Sequence, residues 1–136
     1  MNDSTEFYYR EELMDHAKTP HNHGVIKGAS IRQKETNPLC GDEIEMFAQV
    51  EKSKLVEIKF SGCGCYISQA AASMLTDKIR GMRLSAITKM NEESIMEMLG
   101  ATVTPARKKC ALLSLWTIQK GIENYLNVNK KKDAKK

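Results

Sequence analysis

Regular alternation of apolar and polar side chains starts at Asp42. Ile44, Met46, Ala48 and Val50 fall on one face of an extended segment, and Glu43, Glu45, Phe47 and Gln49 on the other. After the polar turn Glu51-Lys52-Ser53-Lys54, the run LVEIKF places Val56, Ile58 and Phe60 together and Leu55, Glu57 and Lys59 opposite them. The two runs predict an antiparallel hairpin. Upstream, PHNHGVIKGASIRQKETNP mixes turn residues with an extended stretch over 25–32, which is expected to supply a first strand.

Elsewhere the apolar spacing is helical. TEFYYREELMDHAK, residues 5–18, predicts a short helix with Tyr9, Leu13, Met14 and Ala17 on its apolar side, stopped by Pro20. From Ser68 onward Ala71, Ala72, Leu75 and Ile79 repeat at helical intervals, with Gly81 as the stop. A short helix is expected over 91–99. The last helix opens at Thr104-Pro105 and packs through Leu112, Leu115, Trp116, Gln119, Ile122 and Leu126. There is no GxGxxG, no phosphate-binding GxxxxGK[ST] and no internal repeat. The order predicts an α+β fold, a small antiparallel three-stranded sheet with helices packed on one face.

With 136 residues, 41% hydrophobic and 28% charged, the chain suits one globular domain. Residues 1–128 are expected to form it, and 129–136 a disordered Lys-rich tail. Residues 130–136 hold five lysines and one aspartate, a net +4 that equals the net charge of the whole chain. The body therefore has no electropositive bias, which argues against a nucleic-acid partner. No apolar run approaches the roughly 18 to 20 residues of a membrane span, and the first dozen residues are polar and acidic. A cytoplasmic protein with no membrane partner is expected.

In that reducing setting the four cysteines, Cys40, Cys63, Cys65 and Cys110, are expected as thiols. Opposed residues of an antiparallel pair point to the same side, which leaves two registers for the hairpin. Ala48 then faces Val56 or Ile58, and Val50 faces Lys54 or Val56. Extended past the strand ends, the pairing sets Cys40 opposite Gly64 or Tyr66. Either way LCGD and GCGC meet at the hairpin's open end, with Asp42 beside them. Cys63 and Cys65 lie two apart on extended chain, so both sulfurs are expected on one side, where strand gives way to helix and a helix N-terminus favours an anion. Cys110 lies in the opening turns of the last helix, and its neighbours Arg107, Lys108 and Lys109 would favour a thiolate.

His21 and His23 are close in sequence and offer either metal ligands or ordinary solvated loop residues. No histidine is placed near a thiol, so a Cys-His hydrolase is unsupported. Cys63-Gly64-Cys65 is one residue short of a Cys-x-x-Cys knuckle, and ligands scattered over loop ends suit exchange better than holding a fold together.

NPLCGD at 37–42, SGCGCYISQAAASMLT at 61–76 and ARKKCALLSLW at 106–116, with HAKTPHNHG before them, resemble the IscU/NifU-type iron–sulfur cluster scaffold family, including its SufU branch, from about Tyr8 to Leu126. The resemblance implies the IscU-like α+β domain. It implies that Cys40, Asp42, Cys110 and one of Cys63 and Cys65 bind a nascent [2Fe-2S] cluster, with Cys65 preferred as the SufU-like ligand. It also implies iron as substrate and a cysteine desulfurase as partner, whose persulfide would be accepted at Cys110 or Cys40. Apo iron–sulfur proteins would be the recipients, and a frataxin-like or ferredoxin partner would assist. On this reading the chain is a carrier and not an enzyme.

Four departures bear on that reading. Lys109 stands where IscU-type members carry a histidine, as in SufU-like members, which makes Asp42 the favoured fourth ligand. Residues 81–107 leave little room for the SufU insertion, and ATVTPARKK replaces the IscU chaperone motif. Cys63 aligns with the IscU-type cysteine and Cys65 with the SufU-type one. A SufU-like zinc-dependent sulfurtransferase is the alternative, with Zn2+ on Cys40, Asp42, Cys65 and Cys110, and Cys40 accepting sulfur. A structural zinc module is a further one, in which removing the metal would unfold the chain.

Overall fold

The computed structural model describes residues 3–38, 41–100 and 105–134. Along the chain run α1 (Asp3–Lys18), β1 (Ile31–Asn37), β2 (Asp42–Glu51), β3 (Lys54–Cys63), α2 (Tyr66–Ile79), α3 (Leu84–Thr88), α4 (Glu92–Leu99) and α5 (Pro105–Ala134). The strands form one antiparallel sheet in the order β1-β2-β3, as the sequence pattern predicts.

The hairpin selects one of its two expected registers: Ala48 pairs with Ile58, and the same pairing runs out to Glu43 opposite Cys63. Near the turn it shifts between Gln49 and Val50, so Val50 faces Leu55 and not Lys54 or Val56. Lys52 and Ser53 both have positive φ, 51° and 65°, the pairing of a tight primed turn whose twist suits a hairpin. The shift reverses the sides beyond it. Leu55 is fully buried and Val56 is 38% exposed, the opposite of the expectation from simple alternation.

The first strand also departs from expectation. It covers Ile31–Asn37 and not 25–32, and its burial alternates along IRQKETN. Inward-facing positions rest under α5, which lies so close that a Cβ on Gly121 would stand 2.7 Å from Ile31 Cγ2. Residues 22–24 lie against β3 instead: Phe60 N–H donates to Asn22 O at 2.9 Å, and Gly24 N–H to Phe60 O at 2.8 Å.

The core lies between the helices and the sheet face of Ile44, Met46, Ala48, Ile58 and Phe60, and Ala71, Ala72, Leu75, Leu115, Ile118 and Ile122 fill the other side. On the opposite sheet face Phe47 is 1% exposed, with the Arg32 guanidinium 5.4 Å from its ring centre. In α5, Trp116 and Leu126 are exposed, not packed as their spacing suggests, and Gln119 donates to Ile87 O and Met90 O at 3.1 and 2.9 Å. Helix α5 continues to Ala134, through most of the segment expected to be a disordered tail. Lysine and alanine are good helix formers, and adding residues to an anchored helix avoids the cost of nucleation. Among the described residues no helix is long and apolar enough to cross a membrane.

Candidate metal centre

At the open end of the hairpin three elements meet. Asp42, the first residue of β2, continues the inward face of Ile44 and Met46 and is fully buried. The connection before it closes with a hydrogen bond from Gly41 N–H to Asn37 O at 2.9 Å, Gly41 adopting φ 71°. Cys65 caps the N-terminus of α2 with extended backbone, φ −71° and ψ 165°. Its carbonyl accepts from Ser68 Oγ at 3.0 Å and Gln69 N–H at 3.2 Å, which closes the first helical turn.

The Asp42 carboxylate is held by backbone. Cys65 N–H donates to Asp42 Oδ1 at 2.8 Å, and Cys65 Sγ lies 3.9 Å from Oδ2. A buried carboxylate needs such donors. Gly64 leaves the room for it: a Cβ there would collide with Asp42 Oδ1 and stand 2.6 Å from Ser68 Oγ.

Cys110 arrives from the second turn of α5 and is 2% exposed. Ligand atoms of Asp42, Cys65 and Cys110 all lie within 4.8 Å of one another. Two sulfurs and one carboxylate oxygen in that space suit zinc or iron, with the soft sulfurs as the strong ligands.

The structure brings together Asp42, Cys65 and Cys110 of the expected residues. Cys40 lies outside the described residues, and so does its expected pairing with Gly64 or Tyr66. Cys63 does not join the cluster and is exposed, so the expectation that both sulfurs of GCGC face one side fails. Parity explains it. Cys63 pairs with Glu43 and shares its outward face, whereas Asp42 points inward, and Cys65 turns in because the chain leaves the strand for α2.

Two of the basic residues before Cys110 make contacts of their own. Arg107, Lys108 and Lys109 are exposed while Cys110 is buried. Lys108 pairs with Glu92 at 2.7 Å, and the Arg107 guanidinium stands 5.6 Å from the ring centre of Tyr66. That stacking ties the start of α5 to the residue after Cys65, so Arg107 and Tyr66 brace the site.

Sequence reading missed two polar side chains. Gln69 Nε2 and Ser114 Oγ are buried without a hydrogen-bond partner among the described residues. Each lies four residues beyond a site cysteine, Cys65 and Cys110, one helical turn along. That spacing was the available signal.

A small α+β domain with a carboxylate and two thiols gathered at the end of its sheet is the class defined by this fold and site. The chain belongs to the NifU-like N-terminal domain family, whose model matches residues 8–132. It is 33% identical over 138 aligned positions to the zinc-dependent sulfurtransferase SufU of Bacillus subtilis, covering 89% of this chain and 93% of that one. To the iron–sulfur cluster assembly scaffold protein IscU of Thermotoga maritima it is 31% identical, covering 85% and 92%. The crystal structure of an iron–sulfur cluster assembly scaffold protein for the SUF system from Fervidobacterium islandicum superposes with a TM-score of 0.71 at 29% identity, covering 82% of this chain and 94% of that one.

Proposed function

We propose that this chain assembles a [2Fe-2S] cluster from iron and the sulfur of a cysteine desulfurase and hands it to apo-proteins. The observation that carries the reading is the convergence of Asp42, Cys65 and Cys110 within 4.8 Å, in a family whose named members include scaffolds. Cys40, two residues before Asp42, is the fourth ligand in this proposal.

The chemistry follows from the ligands. Thiolates hold iron strongly, whereas a carboxylate is a harder and weaker partner, so a mixed set keeps the cargo transferable. Sulfur arrives when a thiolate of this chain, Cys40 or Cys110, attacks the outer sulfur of the desulfurase persulfide. The sulfur–sulfur bond breaks and the desulfurase thiolate leaves. Each transferred sulfur takes two electrons to become sulfide, which a ferredoxin-like reductant would supply, and a frataxin-like partner would regulate the exchange.

A second reading, a zinc-dependent sulfurtransferase, is favoured by the use of Cys65 and the presence of Lys109, and by the SufU relative. Zinc on Cys40, Asp42, Cys65 and Cys110 would keep the sulfurs deprotonated. Cys40 would take the outer sulfur by the same exchange and pass it on.

The deciding experiment measures iron, acid-labile sulfide and zinc per chain after anaerobic reconstitution with a cysteine desulfurase, cysteine and ferrous iron, followed by transfer to an apo-ferredoxin. Equal iron and sulfide that then pass to the acceptor are expected. Tightly held zinc, no cluster and a faster desulfurase would replace the scaffold with the sulfurtransferase.

A further inference from the structure

A second group of ligand atoms lies where α1, the loop after it and α2 pack together. His16, near the end of α1, is buried, and its Nδ1 is 2.6 Å from Ser73 Oγ of α2. The same hydroxyl accepts from His21 N–H at 2.7 Å. His21 Nδ1 lies 2.6 Å from Asp77 Oδ2, and the other oxygen of that carboxylate accepts from Asn22 Nδ2 at 2.8 Å. The two imidazoles stand 4.4 Å apart between ring centres, tilted by 49°. One ligand atom each from His16, His21 and Asp77 fits within 4.8 Å of the others.

We propose that His16, His21 and Asp77 form a second metal site, for a divalent first-row transition ion, separate from the thiol site and independent of the function proposed above. Two imidazole nitrogens and one carboxylate oxygen are a donor set for zinc or ferrous iron, with room left for water. Hydrogen-bond partners on His16 and Asp77 supply the outer contacts that orient ligating side chains: the Ser73 hydroxyl on the first, the Asn22 amide N–H on the second. Glu11, Glu12 and Asp15 line the open cleft beside His16 and His21 and would attract a cation.

The protonation states suit ligation. Burial, reinforced by neighbouring His21, holds His16 below the ordinary histidine range, which favours the neutral ring. Burial pushes the Asp77 carboxyl up, but hydrogen bonds from His21 and Asn22 outweigh it and hold it below the ordinary carboxylate range. His23, the other loop histidine, takes no part and packs edge-on against Phe60 at 5.4 Å.

The test is calorimetric titration of the full chain with Zn2+, under reducing conditions, with the thiol site filled first. Wild type is expected to take up a further equivalent. His21→Ala and Asp77→Asn are expected to weaken that equivalent by roughly tenfold or more while filling the thiol site normally. Both side chains are exposed, and far-ultraviolet circular dichroism checks that the variants fold. Absence of a further equivalent in wild type, or its retention at wild-type affinity in both variants, would overturn the proposal.

Discussion

The two clusters of candidate ligands in this molecule are built on different plans. Asp42 is fully buried and its carboxylate is fixed by a backbone N–H, that of Cys65 at the junction of β3 and α2. Asp77 has a 43% exposed side chain and is fixed by other side chains, His21 and Asn22. In the first cluster the course of the main chain decides which residues can be ligands, which is why Cys65 enters and Cys63 stays out. In the second, side chains from two helices and a loop adjust to one another. Backbone-fixed ligands should tolerate substitution poorly, and side-chain-fixed ligands should respond mainly to pH and ions.

The largest effect that would separate the plans is expected from Gly64→Ala. The added methyl would collide with the Asp42 carboxylate and with Ser68, and overpacking of this kind costs roughly 1–3 kcal/mol. Denaturant unfolding is expected to show that loss, and reconstitution a parallel drop in bound metal. Wild-type stability in this variant would mean that the backbone at the junction is not rigid.

Asp42→Ala sharpens the same point by setting stability against cargo retention. It leaves the partly buried N–H of Cys65 without its acceptor, a loss of about 1 kcal/mol or more. Yet if Asp42 is the weak ligand of the proposed cluster, its removal should slow loss of that cluster to a chelator. Asp42→Asn keeps an oxygen acceptor for that N–H and is expected to recover most of the stability. A cluster that decays from Asp42→Ala at the wild-type rate would show that the carboxylate has no labilising role.

The side-chain-fixed cluster predicts an acid response in the metal-free protein. His16 titrates below its ordinary 6.5 in the folded state, so between that value and its folded value the unfolded chain binds more protons. Its contribution is therefore complete above pH 6.5 and is lost as pH falls toward the folded value. Burial is the main cause of this response, His21 adds to it, and the charges of Asp77, Glu12 and Asp15 oppose it. Chelated wild type should lose stability on acidification through this window, by no more than about 1.4 kcal/mol per pH unit for one proton. His16→Gln should flatten the slope, and an unchanged slope would assign the response elsewhere.

The sequence made the hairpin and the meeting of its cysteine loops legible because alternation is strong where one sheet face is buried. It hid β1, since IRQKETN carries one large apolar residue and is buried by α5, an element distant in sequence. The register shift at Gln49 was equally hidden, and with it the exchange of Leu55 and Val56. Among histidines, sequence proximity suggested His21 with His23. Space pairs His21 with His16 instead, because residues 22–24 pair with β3 while His16 and His21 share Ser73 of α2. Alternation and helical spacing report burial, and they cannot report which partner buries a residue.

The smallest expected effect tests whether the thiol site's helix keeps a polar group at a cost. Ser114 Oγ is buried with no partner among the described residues, one turn beyond Cys110, whereas Thr117 on the same helix returns its hydroxyl to Leu113 O at 2.7 Å. Burying a hydroxyl without a hydrogen bond is unfavourable, and removing it leaves only a very small void. Ser114→Ala is therefore expected to stabilise the metal-free protein, by up to about 1 kcal/mol in denaturant unfolding. The gain should shrink once the thiol site is loaded if the hydroxyl then donates to a cysteine sulfur or to the cargo. A gain that is equal with and without metal would make Ser114 a neutral packing residue, and a loss would mean that the hydroxyl is already satisfied in the metal-free protein.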